Sequence, residues 1–514
     1  MTSAVAPADW CTLLFGDTVP EATSAELRDR LSRPGLGRWL AQVRQVRRCS
    51  HPVRLVGHSD TIDAATGEVL SSYDSAGEPD GVTYLRCGNR RASVCPSCSH
   101  EYKGDVWHLL MAGTAGGIKD VPATVALHPL VFATPTAPSF GLVHASKKSG
   151  RPGSRRCLPR TGDRRQVCPH GRPRWCMAVH DHGDELVGQP LCADCYDYEG
   201  HLVWQWWAPE LWRRFTITLH RRIATHLGVS ENAAKKLVRV QFAKVAEFQR
   251  RGIIHFHALI RLDGPPTDTD LYPPPVVDID SSTLAELIKS AAAAVWYDPP
   301  PIDADHQPRM LRFGAQVDAR PVTGTADRQV HGAQLHPETV AAYIAKYATK
   351  AAGDLPIDQQ ARGEHLPRLK ATLHQLARRA IVAQLAGPES QYGGWERWAD
   401  MLGFRGHFAT KSRRYSTTLG RLRQARRDYT RRHHQLRNDN SAAESADWVD
   451  DEDQADDETT LVIGSWRFAG MGWLTTADAA LALASAAKAR DDRSLDDLSG
   501  QTVATIAALS QARP

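Results

Sequence analysis

The chain of 514 residues contains no run of eighteen apolar residues, which argues against a membrane-spanning helix. Its opening, MTSAVAPADWCTLLFGD, lacks the basic segment and cleavage site of a secretory signal, so the expectation is a soluble, cytoplasmic protein. No G-x-x-x-x-G-K-[ST] pattern occurs, so a built-in ATP-driven helicase is not expected and unwinding would fall to another protein. There is little net charge: +5 formally, with a pI of about 8.6, a weak argument for a nucleic-acid partner. The distribution says more than the average. Arg405 to Arg437 holds eleven Lys or Arg and a single acid, Asp428, whereas Glu444 to Glu458 holds nine acids and no base.

The length exceeds what one hydrophobic core usually supports, so several units are expected. Residues 1–115 read as an N-terminal zinc-binding region and 116–410 as a central α+β domain. Into that domain fall a cysteine-rich insertion at 157–200 and a Pro- and Asp-rich one at 264–310, the latter expected to be peripheral around one short helix near SSTLAELIKSAAAAVWY. A basic helical segment at 405–440, an acidic linker at 441–460 and a small C-terminal unit at 461–514 complete the plan.

Ten cysteines suit a reducing compartment only if most of them bind metal. CGNRRASVCPSC supplies Cys87, Cys95 and Cys98, with Cys49 as the natural fourth ligand of a structural Cys₄ zinc site. Cys168, Cys176, Cys192 and Cys195 make a second complete set, with His170, His180 or His182 as substitutes. Cys11 and Cys157 are left over and read as ordinary thiols.

In EFQRRGIIHFHALIRL, His255 and His257 are two apart in a β-favouring run, so both imidazoles leave one face and can share a divalent ion. The Arg-Gly turn would fold the preceding strand back against them, making Glu247 the preferred third ligand and Gln249 the alternative. An oxygen ligand suits Mg²⁺ or Mn²⁺. Further on, HPETVAAYIAKYATKAAG reads as a helix with Pro337 in its first turn and Gly353 as its stop. Tyr343, Lys346, Tyr347 and Lys350 form one stripe of that helix, and Ala341, Ile344, Ala345 and Ala348 another that can pack on a sheet. Cations beside a phenol favour its phenolate and stabilise a phosphorane-like transition state.

FATPTAPSFG, EFQRRGIIHFHALIRL and YIAKYATK, in that order, resemble the three motifs of HUH rolling-circle replication initiators, most nearly those of actinobacterial plasmids and integrative elements, over roughly residues 45–430. The resemblance implies an HUH endonuclease core, a central antiparallel sheet with helices. It also implies Tyr347 as nicking nucleophile, His255 and His257 as metal ligands, and the strand around Phe132 to Thr136 in the same sheet. Many such initiators carry Thr-Leu-Thr in the first motif; Thr134-Pro135-Thr136 departs from it, at a place expected to touch no ligand. Relatives with a second tyrosine suggest that Tyr343 and Tyr347 act in alternation, the alternative being that Tyr343 is only structural.

The function so implied is site- and strand-specific nicking and joining through a 5′-phosphotyrosine, starting rolling-circle replication of a plasmid or mobile element. Origin DNA, double-stranded and single-stranded, is the substrate, and host helicase, polymerase and single-strand-binding protein are the partners. Arg90 and Arg91 beside the first cysteine cluster, and Arg413, Arg414, Arg421 and Arg423 in the basic segment, are candidates for phosphate contact, with Tyr415 and Tyr429 placed to stack on bases. The rivals are a conjugative relaxase, which a third histidine near the pair would have favoured, and a zinc-containing origin-binding regulator that does not cut.

Overall fold

The computed structural model describes residues 21–47, 49–92, 94–146, 156–181, 183–322, 339–344, 363–386, 391–438 and 460–484. Among them the strands are β1 (Val53–Asp63), β2 (Val69–Asp74), β3 (Thr83–Leu85), β4 (Leu130–Pro135), β5 (Arg239–Phe248), β6 (Ile254–Asp263), β7 (Val317–Pro321), β8 (Ala409–Lys411) and β9 (Thr460–Met471). Two compact units result, Met1–Tyr102 with Thr430–Pro514, and Lys103–Tyr429.

In the first unit β1 pairs antiparallel with β2, β3 and β9, the last along its whole length from Val53 opposite Met471 to Asp63 opposite Thr460. Trp473 packs on Trp39 and Tyr84, with ring centroids 5.6 and 4.7 Å apart, and Asp478 forms a buried ion pair with Arg30 at 2.6 Å. The expectation of a separate C-terminal unit is thereby corrected. A twelve-residue strand has a row of ladder N–H and C=O groups to satisfy, and here β1 supplies the partners.

The second unit is built on a five-stranded antiparallel sheet in the order β7-β4-β6-β5-β8. Side chains alternate across it. One face, with Val131, Ala133, Phe242, Phe256, Ala258 and Ile260, is covered by helices, foremost Tyr198–His226, whose Trp212 lies 5.4 Å from Phe242 and 5.5 Å from Phe256. Asp197 caps that helix by accepting from Gly200 N–H. The helix Ser281–Ala294, expected to be peripheral, instead buries Leu284, Ala285, Ile288, Ala291 and Ala292 in the same core. Flanking prolines and acids concealed its apolar face. The architecture is thus mixed helix and antiparallel sheet, in line with the α+β expectation.

Lys244 is a consequence of this packing. It lies on the helix-covered face of β5, its Nζ 4.4 Å from the Phe256 ring centroid and 5.3 Å from that of Trp212, and burial pushes its pKa down to about 7. An unfolded lysine titrates near ~10.4, so between those values the unfolded chain holds the extra proton and stability rises with pH. Below about 7 both states are charged and the full penalty of burying the ammonium persists, less what the ring faces return. Lys244→Met is expected to stabilise the fold near neutral pH by a few kcal/mol, on the order of the pKa difference. Urea unfolding at pH 6.5 and 9.5 checks this: the advantage of the variant should shrink at the higher pH, and an unchanged gap would contradict it.

Candidate functional site

The opposite face of the same sheet carries the chemistry. β5 and β6 form a hairpin closed at Arg251–Gly252, where Gly252 has φ +78° and an added Cβ would stand 2.9 Å from Leu366 and Leu402. Glycine is therefore required at this turn. The resulting register sets Glu247 directly opposite His255 and Val245 opposite His257. Glu247 Oε2 lies 3.1 Å from His255 Nε2 and 3.0 Å from His257 Nε2, and the two Nε2 atoms are 2.7 Å apart. Gln249 is in the turn, accepting from Arg251 Nε at 2.9 Å, so the structure brings Glu247 and not Gln249 to the histidines.

Two imidazole nitrogens and a carboxylate oxygen this close repel unless a proton or a cation lies among them. Cis ligands about 2.1 Å from a divalent ion are roughly 3 Å apart, so the spacing fits one ion. Burial lowers the His257 pKa and Glu247 only partly restores it, so the ring is neutral near pH 7 with a lone pair available. Burial alone would raise Glu247; its bonds to His255 and His257 outweigh that and hold the carboxyl below its ordinary value, ionised. His257 Nδ1 is 3.2 Å from Thr134 Oγ1, and Phe132 stacks on the ring at 5.7 Å. With Nε2 given to a metal, Nδ1–H donates to Thr134, which fixes tautomer and ring orientation. The first motif was expected to touch no ligand; Thr134 does, because the β4–β6 register, with Ala133 opposite Ala258, leaves the next residue beside His257.

Residues 339–344 are helical, with Val340, Ala341 and Ile344 buried. Tyr343 stands edge-on to His257 at 5.5 Å and to Phe132 at 6.0 Å, and is 41% exposed, so its ring borders the triad while remaining open to a ligand. Tyr347, Lys346 and Lys350 lie outside the described residues, as do Pro337, Gly353, Cys11 and His182.

Cys49, Cys87, Cys95 and Cys98 come together with Sγ–Sγ separations of 3.6 to 3.7 Å. Four thiolates about 2.3 Å from a tetrahedral zinc would be spaced by about 3.8 Å, so this group could hold one. In the second set His170, one of the expected substitutes, takes the place of Cys176. Cys168, Cys192 and Cys195 converge with His170, whose Nδ1 is 3.3 Å from Cys195 Sγ and 3.6 Å from Cys192 Sγ. Cys168 is pulled down to about 6: burial would raise it, but backbone N–H groups of Arg172 and His170 bind its sulfur. Cys176 belongs instead to a group with His144, Cys157 and His180, so Cys157 is not an isolated thiol. Bridge pairing of Leu158 with Cys176 pulls the two cysteines together, a long-range event that spacing along the chain does not encode.

Over residues 35–487 the chain matches the family model described as "Replication initiator protein, pSAM2". It is also 40% identical to a replication initiator protein of Streptomyces ambofaciens over 460 residues, 89% of this chain and 91% of the relative. The chain belongs to this family of replication initiators. No solved structure matches it.

In this initiator the arginines singled out from sequence are differently placed. Arg413, Arg414 and Arg423 are exposed. Arg421 is exposed too and pairs with Asp120 at 2.5 Å. Arg90 lies over the Tyr102 ring at 5.7 Å and, like Arg91, is half-buried. Tyr429 is 54% exposed. Tyr415 is corrected: it is fully buried beneath the Arg261 guanidinium at 5.3 Å and cannot stack on a base. The basic segment is also not helical from its start, since β8 occupies Ala409–Lys411 and the helix begins at Leu419. No helix among the described residues is long and apolar enough to cross a membrane.

Proposed function

We infer that this replication initiator is an HUH-type nicking and joining enzyme that starts rolling-circle replication of a plasmid or mobile element. The observation that carries the reading is the meeting of Glu247, His255 and His257 on the open sheet face beside Tyr343. Tyr347, identified through its motif, is the nucleophile. Its phenolate oxygen attacks the phosphorus of a scissile phosphodiester in origin DNA; the P–O3′ bond breaks, and a 3′-hydroxyl leaves to prime host polymerase while the 5′ phosphate stays on the tyrosine. The bond energy is conserved in the phosphotyrosine, so a later hydroxyl can rejoin the strand without ATP.

Glu247, His255 and His257 would hold one Mg²⁺ or Mn²⁺, which polarises the phosphate and offsets its charge. Phe132 and Thr134 keep His257 in place, and Tyr343, whose ring lies beside His257, would serve as a second nucleophile for termination. Arg413, Arg414 and Arg423 supply phosphate contacts on the approach of the strand. The cysteine clusters are structural zinc sites, having thiolate-rich donor sets with no position left for a reacting water. Helicase and single-strand-binding protein come from the host.

Single-stranded oligonucleotides tiled across the origin of the element, incubated with Mn²⁺, test the reading. The wild type is expected to form an adduct that survives denaturing electrophoresis, and Tyr347→Phe is expected to form none. Tyr343→Phe should nick once and fail at repeated joining. No adduct with the wild type, despite origin binding, would point to a regulator that does not cut, and multi-round joining by Tyr343→Phe would remove the second nucleophile.

A further inference from the structure

We propose that His144, Cys157, Cys176 and His180 form a third zinc site, so that the insertion of this initiator carries two zinc ions and the chain three. The donor atoms of the four residues lie within 4.8 Å of one another. Cys176 Sγ is 3.3 Å from His180 Nε2, His180 Nε2 is 3.2 Å from His144 Nδ1, and His144 Nδ1 is 3.9 Å from Cys157 Sγ. Ligand atoms of a tetrahedral zinc, with bonds of about 2.0 to 2.3 Å, are roughly 3.3 to 3.8 Å apart, so a Cys₂His₂ ion fits with small adjustment.

Two features outside the donor set are those that metal ligands acquire. His180 presents its other nitrogen, Nδ1, to Asp184 Oδ2 at 2.6 Å, the carboxylate–imidazole pairing that fixes the tautomer of a ligating histidine. Cys157 Sγ accepts from the backbone N–H of Ala145 at 3.1 Å, which suits a thiolate. Backbone pairing sets the group up independently of any ion. Cys157 N–H donates to Ala178 at 2.7 Å, Leu158 bridges Cys176, and Ser146 bridges His180.

The site is tied to the metal triad's hairpin through the backbone of Asp184, whose side chain holds His180. The backbone carbonyl of Asp184 accepts from Arg250 Nη1 at 2.9 Å, and Gly188 is so close to the Arg250–Arg251 peptide that an added Cβ would meet it at 2.8 Å. Arg250 and Arg251 form the turn between the two strands that carry Glu247, His255 and His257. The third zinc therefore braces the hairpin on which the metal triad is built, whereas the ion of Cys168, His170, Cys192 and Cys195 closes a separate loop. This inference concerns a different set of ligands and does not depend on the nicking reading.

Zinc per chain, measured by mass spectrometry on full-length protein, decides it. The His255→Ala/His257→Ala background keeps the triad from contributing. Three zinc ions are expected there, two after adding Cys157→Ser or Cys176→Ser, and three again with Cys157→His, which restores a ligand. Cobalt in place of zinc should lose one class of thiolate charge-transfer absorption in Cys157→Ser. Two ions in the parent with no change on Cys157→Ser would overturn the proposal. So would three ions in the parent that Cys157→Ser leaves at three. Should Cys157→Ser fail to fold, the parent count together with Cys157→His decides: three and three supports the site, two in the parent rejects it.

Discussion

Replacement of His257 or Glu247 by alanine is expected to reduce origin nicking by at least ~100-fold, the upper end of what losing even an outer partner of a metal ligand costs. Each variant removes one of three donors held about 3 Å apart, and neither changes the exposed arginines that would hold the DNA backbone. Binding to single-stranded origin oligonucleotides should persist while cleavage disappears. A graded companion sharpens the test. Thr134→Val takes away the oxygen facing His257 Nδ1 but leaves every ligand in place, so nicking should return at ~10- to 100-fold higher Mn²⁺, and Thr134→Ser should need no extra metal. Nicking rates titrated against Mn²⁺ separate these cases. Unimpaired cleavage by His257→Ala at low metal would mean that the triad is not the metal centre.

The second large effect is on stability. Arg261 is fully buried and held by Asp263 through two bonds, Nε to Oδ1 at 2.7 Å and Nη2 to Oδ2 at 2.8 Å, while His128 Nδ1 lies 2.8 Å from the same carboxylate. Asp263→Ala would strand a buried guanidinium and is expected to cost about 3–5 kcal/mol. Arg261→Met with Asp263→Leu removes both charges and should recover most of that loss, because the pair itself is worth little once desolvation is counted. The pH dependence has a defined sign. Burial would raise the Asp263 carboxyl, but His128 and Arg261 more than reverse this and hold it below its ordinary value. Its stabilisation is complete above the unfolded value of about 3.9 and is lost as pH falls through the lower, folded one. Denaturant midpoints of the single and double variants, measured at pH 7 and again near pH 3.5, check both statements.

What sequence could disclose followed from how local the determining geometry is. The triad was readable because a strand repeats every two residues and a two-strand hairpin fixes which residues face each other, so Glu247 and the His-x-His pair follow from one turn. The first cysteine cluster was readable because Cys-x-x-Cys is a local clip. In the second, His170 was readable as a substitute ligand, but that it displaces Cys176 was decided by a bridge between Leu158 and Cys176. Tyr415 misled in a different way: in a run dominated by cations, one side chain turned inward leaves no periodic trace. The pairing of β9 with β1 was hidden because alternation marks a strand without naming its neighbour.

That last pairing bears on how the protein is made. Arg30 and Asp478 are 448 residues apart in the chain yet form one buried ion pair, and β1 has β9 as its full-length partner. During synthesis the N-terminal segment emerges long before β9, while residues 103–429 can complete their own core in between. The amino-terminal sheet must therefore wait, with β1 unprotected on one edge, until β9 has been synthesised. A ribosome that stops early would release a chain whose second unit, residues 103–429, is whole and whose first unit is not. Premature termination or carboxyl-terminal proteolysis would thus strike the amino-terminal unit first.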